Sequence, residues 1–315
     1  MILVLASIVG YTLSKKVTTD KARATVDNLN ARTRSWWVMV LIFTVTIYLG
    51  HWTTVVLFFM LSFFALREFI TLNPTRKSDH RVLFWTFFII TPLQYLLVGV
   101  QWYGLFSIFI PVYAFILIPI RKALAGDTTK FLSSTAKIQW GLLVCVYFVS
   151  HIPMLTKLPI DGYEGKNGML LFFFVVTVQA SDVLQYVWGK LLGKKAIVPN
   201  LSPNKTWAGF IGGIGSTTII SSLLWWATPF KPWQAAIMAL LICLAGFAGG
   251  LVMSAIKRDL RAKDWGNSIA GHGGFMDRLD SLCFAAPLFF HITGFYFGSG
   301  IDPTPPEWVY SFMGK

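Results

Sequence analysis

The sequence predicts an all-α fold: a polytopic integral-membrane helical bundle with nine to ten transmembrane helices. Three observations lead there. Of 315 residues, 55% are hydrophobic and 13% charged, which is more apolar surface than a soluble core of this length can hide. Apolar stretches recur at lengths suited to a hydrocarbon layer of ~30 Å crossed at ~1.5 Å per residue. The basic residues also gather in alternate connections, the pattern that orients helices in a bilayer.

The first thirteen residues are apolar, lack a basic leader and are followed by Lys15 and Lys16. That order is the reverse of a secretory signal. It predicts a span entering from outside, short at ~20 Å, and either tilted into the bundle or beginning before the residues given. Nine further apolar stretches follow at 36–50, 53–72, 82–98, 104–120, 138–156, 168–188, 207–228, 233–256 and 279–298. Between the first two lies TVDNLNARTR, expected as a cytoplasmic surface segment or short amphipathic helix.

Loops 15–35, 67–81, 121–137, 189–206 and 257–278 hold all 27 Lys and Arg residues except Lys157, Lys166, Lys231 and Lys315. Those five loops are therefore expected on the cytoplasmic side. The net charge of +13 is then a topology signal and not a nucleic-acid signal, and lipid phosphates are the expected anionic partner. Tryptophans such as Trp36, Trp37, Trp102 and Trp233 fall near helix ends and are expected as interface anchors. Cys145, Cys243 and Cys283 lie in apolar stretches with no metal or disulfide spacing, so they read as packing residues. With no repeat and no linker, residues 1–315 form a single membrane domain. Within it, 1–160 supply N-terminal helices, and 161–300 the helices and cytoplasmic loops with the chemistry.

Polar motifs concentrate between Ser254 and Ser281. Ser254, Lys257, Arg258 and Arg261 share one helical face if the eighth of those nine stretches continues past the membrane. That face either meets phosphates or anchors at headgroups. Gly271, Gly273 and Gly274 surround His272 and allow a tight turn or close backbone approach. Asp277 and Asp280, three apart, point to one side, where close like charges are costly unless a cation neutralises them; for the DRLD motif by itself, helix capping with Arg278 as partner is the favoured reading. A second loop, PNLSPNKTWAG, offers the hydroxyls of Ser202 and Thr206, the charge of Lys205 and a helix N-terminus, or else a turn closed by a threonine cap. Within the 168–188 stretch, Gln179, Asp182 and Tyr186 share a face, and an intramembrane carboxylate such as Asp182 normally serves a polar cavity.

Together these residues resemble the signature of the phosphatidate cytidylyltransferase (CDP-diacylglycerol synthase) family. Its Ser, Lys-Arg, Lys-Asp, His-Gly-Gly and Asp-Arg-x-Asp elements correspond here to Ser254, Lys257, Arg258, Lys263, Asp264, His272, Gly273, Gly274, Asp277, Arg278 and Asp280. SPNKTWAGFIGG is similar to the family's second stretch, and LREF at 66–69 to a weaker motif. The chain departs from the family at Ala208, where a glutamate is usual, at Ser181 for asparagine, and at Trp265 and Ala270. The sequence leaves open whether that glutamate positions a lysine, a water or the loop.

The resemblance implies transfer of CMP from CTP to phosphatidic acid at the cytoplasmic face, releasing pyrophosphate and leaving CDP-diacylglycerol in the membrane, the bacterial inner membrane in preference to the endoplasmic reticulum. It implies catalytic roles for Lys263, Asp264, His272, Asp277 and Asp280. Substrate binding would fall to Ser202, Lys205, Thr206, Ser254, Lys257, Arg258, Arg278 and Tyr186. Mg2+ would sit on Asp277 and Asp280 with Asp182 or Asp264 beside them, leaving room for a second cation. Membrane lipids are further partners, and a homodimer is compatible with the pattern. The alternatives are a transporter of a lipid or organic phosphate, which predicts a midplane site and internal symmetry, and a weakened, non-catalytic paralogue.

Overall fold

The computed structural model describes residues 2–16, 20–269, 273–300 and 304–307. His272 therefore lies outside the described residues, as do Ala270 and Gly271. Each of the ten expected stretches is helical. We number the helices α1 (Ile2–Lys16), α2 (Asp20–Leu49), α3 (His51–Leu72), α4 (Lys77–Gly99), α5 (Tyr103–Ala123), α6 (Phe131–Lys157) and α7 (Asn167–Leu192). After a short hairpin of β1 (Ala196–Val198) and β2 (Ser202–Thr206) come α8 (Trp207–Ser222), α9 (Pro232–Asp259) and α10 (Met276–Phe297).

Among the described residues, seven helices, α3 to α7, α9 and α10, are long and apolar enough to cross a membrane. This makes the chain an integral membrane protein by length and composition. The other helices fall short of the expected nine to ten spans for a geometric reason. Helix α1 has 15 residues and α8 has 16, while the apolar part of α2 runs only over Thr33–Leu49. At ~1.5 Å per residue, such lengths reach less than the ~30 Å of hydrocarbon. The TVDNLNARTR segment is not a separate surface helix but the first half of the 30-residue α2.

Three spans carry a π segment: Thr86–Ile90 in α4, Phe109–Ala114 in α5 and Leu143–Phe148 in α6. Pro111 lies in the second and has no N–H for a regular helical bond. In the first, the Thr86 carbonyl accepts from both the amide and the hydroxyl of Thr91, the hydroxyl at 2.7 Å.

The most buried span is α6. It packs against α3 and α10, and α10 in turn touches α9, α7 and α3, so the last helix joins the two halves of the bundle. Aromatic pairs fill these contacts, including Phe174 stacked on Phe289 at 5.2 Å and Phe64 on Phe275 at 5.0 Å. Helices α7 and α8 approach closely because Gly209 and Gly213 of α8 lie against Gln185, and Gly212 against Trp188. The ends of α4 and α5 are joined by a buried ion pair, Lys122 to Asp79 at 2.7 Å with both side chains 1% exposed. Asp79 also accepts from the Ser134 hydroxyl at 2.9 Å and the Arg76 amide at 3.0 Å. The three cysteines are free and buried, as expected of packing residues.

Candidate active site

A cleft of about 830 Å³ opens where the C-terminal half of α7 and the C-terminal end of α9 meet the N-terminal end of α10. From α7 come Gln179, Asp182, Val183 and Tyr186; from α9, Lys257; from α10, Asp277, Arg278 and Asp280. The connection between α9 and α10 adds Lys263, Asp264 and Asn267, and α2 contributes Trp36. Trp36, expected as an interface anchor, thus forms an aromatic wall of a charged cleft.

Helix α9 stops where the cleft begins. Its last carbonyls are closed by the Ala262 amide donating to the Lys257 carbonyl at 2.8 Å, with Arg261 in the left-handed region at φ 55°. Arg261 therefore leaves the face it was expected to share with Ser254, Lys257 and Arg258. Downstream the chain folds back on Asp277. Asp277 Oδ2 accepts from the Trp265 amide at 2.9 Å and the Gly274 amide at 3.0 Å, while Oδ1 pairs with Lys257 Nζ at 2.8 Å. Gly273 sits at φ 78°, and a Cβ there would meet Asp277 Oδ2. Asp277 is thus the hub of the loop as well as part of the cleft.

Asp280, one turn on, is less committed: its Oδ1 accepts from the neighbouring Ser281 amide at 2.9 Å. The Ser281 hydroxyl donates to Asp182 Oδ1 at 3.1 Å, which ties α10 to α7. Lys205 approaches this pair from β2. Its ammonium lies 4.6 Å from the Phe247 ring centre and against Gly250, whose missing side chain leaves it room. Desolvation pushes the Lys205 ammonium below its ordinary value, opposed by Asp280 and Asp182, while Lys257 adds to the lowering. Arg278 lines the cleft, and its Nε is buried with no hydrogen-bond partner among the described residues. A guanidinium so placed has donors left for an anion.

The sequence matches the cytidylyltransferase family over residues 30–296. The chain belongs to that family. Similar proteins include the uncharacterized protein YnbB of Escherichia coli (strain K12), 37% identical over 292 residues, which cover 92% of this chain and 94% of that one. A phosphatidate cytidylyltransferase of Staphylococcus haemolyticus is 26% identical over 82% of this chain and 97% of its own. One from Mycobacterium leprae is 38% identical over 51% of each chain, so the match spans about half of that relative.

In this member of the family, the expected site residues divide into two groups. Asp182, Tyr186, Lys257, Lys263, Asp264, Asp277, Arg278 and Asp280 line one cleft, with Lys205 directed at its acidic wall. The others are engaged elsewhere. The Ser254 hydroxyl donates to the Gly250 carbonyl at 2.6 Å within its own helix. Arg258 is exposed and donates to the carbonyls of Leu201 and Ala262, both at 3.3 Å, bracing the β hairpin. Thr206 caps α8, accepting from the Gly209 amide at 3.1 Å, and Ser202 pairs with Val198 in the hairpin. Ala208 lies in the first turn of α8 and is not among the residues that line the cleft.

The residue without an assigned role in the sequence is Glu68 of the LREF motif. It is 7% exposed, accepting from the Ser268 hydroxyl at 2.7 Å and the Met276 amide at 2.9 Å. A motif similarity was its only signal, because its partners lie two hundred residues away.

The residues fit a hard cation in a limited way. Among the described residues no three acidic, histidine or cysteine side chains gather as a metal site. Asp182 and Asp280 each keep one oxygen without a hydrogen bond among those residues. Two carboxylates, completed by water and phosphate oxygens, are the usual protein share of a Mg2+ site.

Proposed function

We propose that this protein transfers CMP from CTP to phosphatidic acid, forming CDP-diacylglycerol and pyrophosphate at the cytoplasmic membrane face. The observation that carries the proposal is the convergence of Asp182, Lys257, Lys263, Asp264, Asp277, Arg278 and Asp280 on one cleft, in a chain whose relatives include phosphatidate cytidylyltransferases. The lipid phosphate is already a nucleophile, so the protein needs no covalent intermediate. Its task is to hold two anions in line and to stabilise charge on the α-phosphate.

Arg278 and Lys263, both in the cleft lining, bind phosphoryl oxygens. Lys257 serves both the loop, through Asp277, and the substrate. Lys205 lowers the cost of holding Asp182 and Asp280 close together. Asp280 and Asp182, with Asp277 beside them, would hold Mg2+, and Lys257, now paired with Asp277, lies within the same lining. The cation, when bound, neutralises and polarises the phosphates. Trp36 and Val183 give the cleft an apolar side suited to a lipid substrate, and the bacterial relatives favour the inner membrane.

A transporter would need its polar site at the midplane. Most of the cleft lining comes from the C-terminal end of α9, the N-terminal end of α10 and the loop between them, with α7 contributing from its middle to its C-terminal half, and this weight on one side supports the enzyme reading. The test is purified protein with labelled CTP, Mg2+ and phosphatidic acid. The expected outcome is label in a lipid-soluble product; no turnover with any of several lipid phosphates sinks the proposal.

A further inference from the structure

We infer that Glu68 is a positioning residue for this reaction: a side chain from α3 that sets the start of α10 and the loop before it, without touching substrate. The inference rests on the activity proposed above. Glu68 is absent from the lining of the cleft, yet each of its oxygens holds a different part of the wall. Oε1 accepts from the Ser268 hydroxyl and Oε2 from the Met276 amide.

Met276 is the first residue of α10, and Phe275 before it supplies no side-chain cap. The opening amides of a helix have no partner within it. Glu68 therefore performs, from another helix, the service usually given by a local cap. The next residues are Asp277 and Arg278, with Asp280 one turn on, so the cap fixes how these three project into the cleft. The other oxygen holds Ser268, just past Asn267 and close in sequence to Lys263 and Asp264, which also line the cleft. One side chain thus holds two segments of the lining.

The surroundings are shaped for it. A Cβ at either Gly266 or Gly274 would run into the Glu68 carboxyl group, so the backbone on both sides of the loop closes around it. Stacking of Trp265 on the neighbouring Phe69 at 5.3 Å, and of Phe275 on Phe64 at 5.0 Å, seats the same loop on the same helix. Those contacts supply area, whereas the carboxyl group supplies direction.

Glu68→Ala should lower kcat about 100-fold, the scale of effect expected when catalytic groups shift by about 1 Å, while the KM for CTP changes by less than about threefold. Glu68→Gln should restore most of kcat, because its amide oxygen can accept from Met276 and its NH2 can donate to Ser268. Hydrogen exchange followed by mass spectrometry gives a readout independent of turnover. Peptides covering 263–269 and 273–280 should exchange faster in Glu68→Ala, with α7 unchanged. Unaltered exchange in those peptides overturns the inference even if the wild type proves inactive, and so does an unaltered kcat in an active protein. If Glu68→Ala does not fold, Ser268→Ala decides: it should speed exchange in 263–269 alone, and no change there overturns the inference.

Discussion

At the scale of single residues, Asp277 and Asp280 look equivalent in the sequence and differ in the structure. Asp277 takes two amides and a lysine, whereas Asp280 takes one neighbouring amide. Asp280→Asn is therefore expected to cut turnover at least about 100-fold, ~2.7 kcal/mol in the barrier, with the thermal midpoint in detergent nearly unchanged. Asp277→Asn should lose turnover and in addition about 1–3 kcal/mol of stability, because it strands Lys257 and weakens the loop. Equal midpoints for the two variants would contradict this division. Asp182 was legible in the sequence because a carboxylate in an apolar stretch is conspicuous, and Thr206 because a threonine before a helix commonly caps it. The approach of Lys205 to the acidic pair was not legible, since it depends on Gly250, forty-five positions away along the chain, leaving space for the ammonium.

At the scale of elements, hydrophobicity alone located the helices, and it did so because a bilayer leaves a spanning backbone few other options. It could not find the π segments, whose cause is local bonding such as that of Pro111 and Thr91. Nor could it find the β hairpin, because SPNKT shows no alternation of apolar and polar residues. It also missed the Lys122–Asp79 pair, which appears in the sequence as two ordinary loop charges. Removing one partner of so enclosed a pair leaves the other charge uncompensated. Lys122→Met should therefore destabilise the protein by about 3–5 kcal/mol, and adding Asp79→Leu should recover part of the loss. Thermal unfolding of the single and double variants checks this; a single variant as stable as wild type would show the pair to be dispensable.

At the scale of the whole molecule, the charge pattern assigns the cleft to the side of the basic loops. That assignment can be checked with cysteine chemistry, because Cys145, Cys243 and Cys283 are buried and give little background. Lys166→Cys and Lys194→Cys replace exposed residues on the two sides. An impermeant maleimide added to intact cells should label the first and reach the second only after the membrane is opened. The reverse pattern would place the cleft outside. The overall plan was legible in the sequence because length and composition decide what can span. The joining of the halves was not, because it runs through contacts of α10 with α3 and α6 that no local pattern encodes.

The reach of Glu68 across the chain also bears on how the protein is made. Its two partners, Ser268 and Met276, emerge from the ribosome some two hundred residues after it does. Throughout that interval α3 carries a carboxyl group without the bonds that satisfy it in the finished protein. Synthesis must reach α10 before the bundle is complete, so a nascent chain cut short ahead of Met276 retains a polar flaw that quality control can recognise.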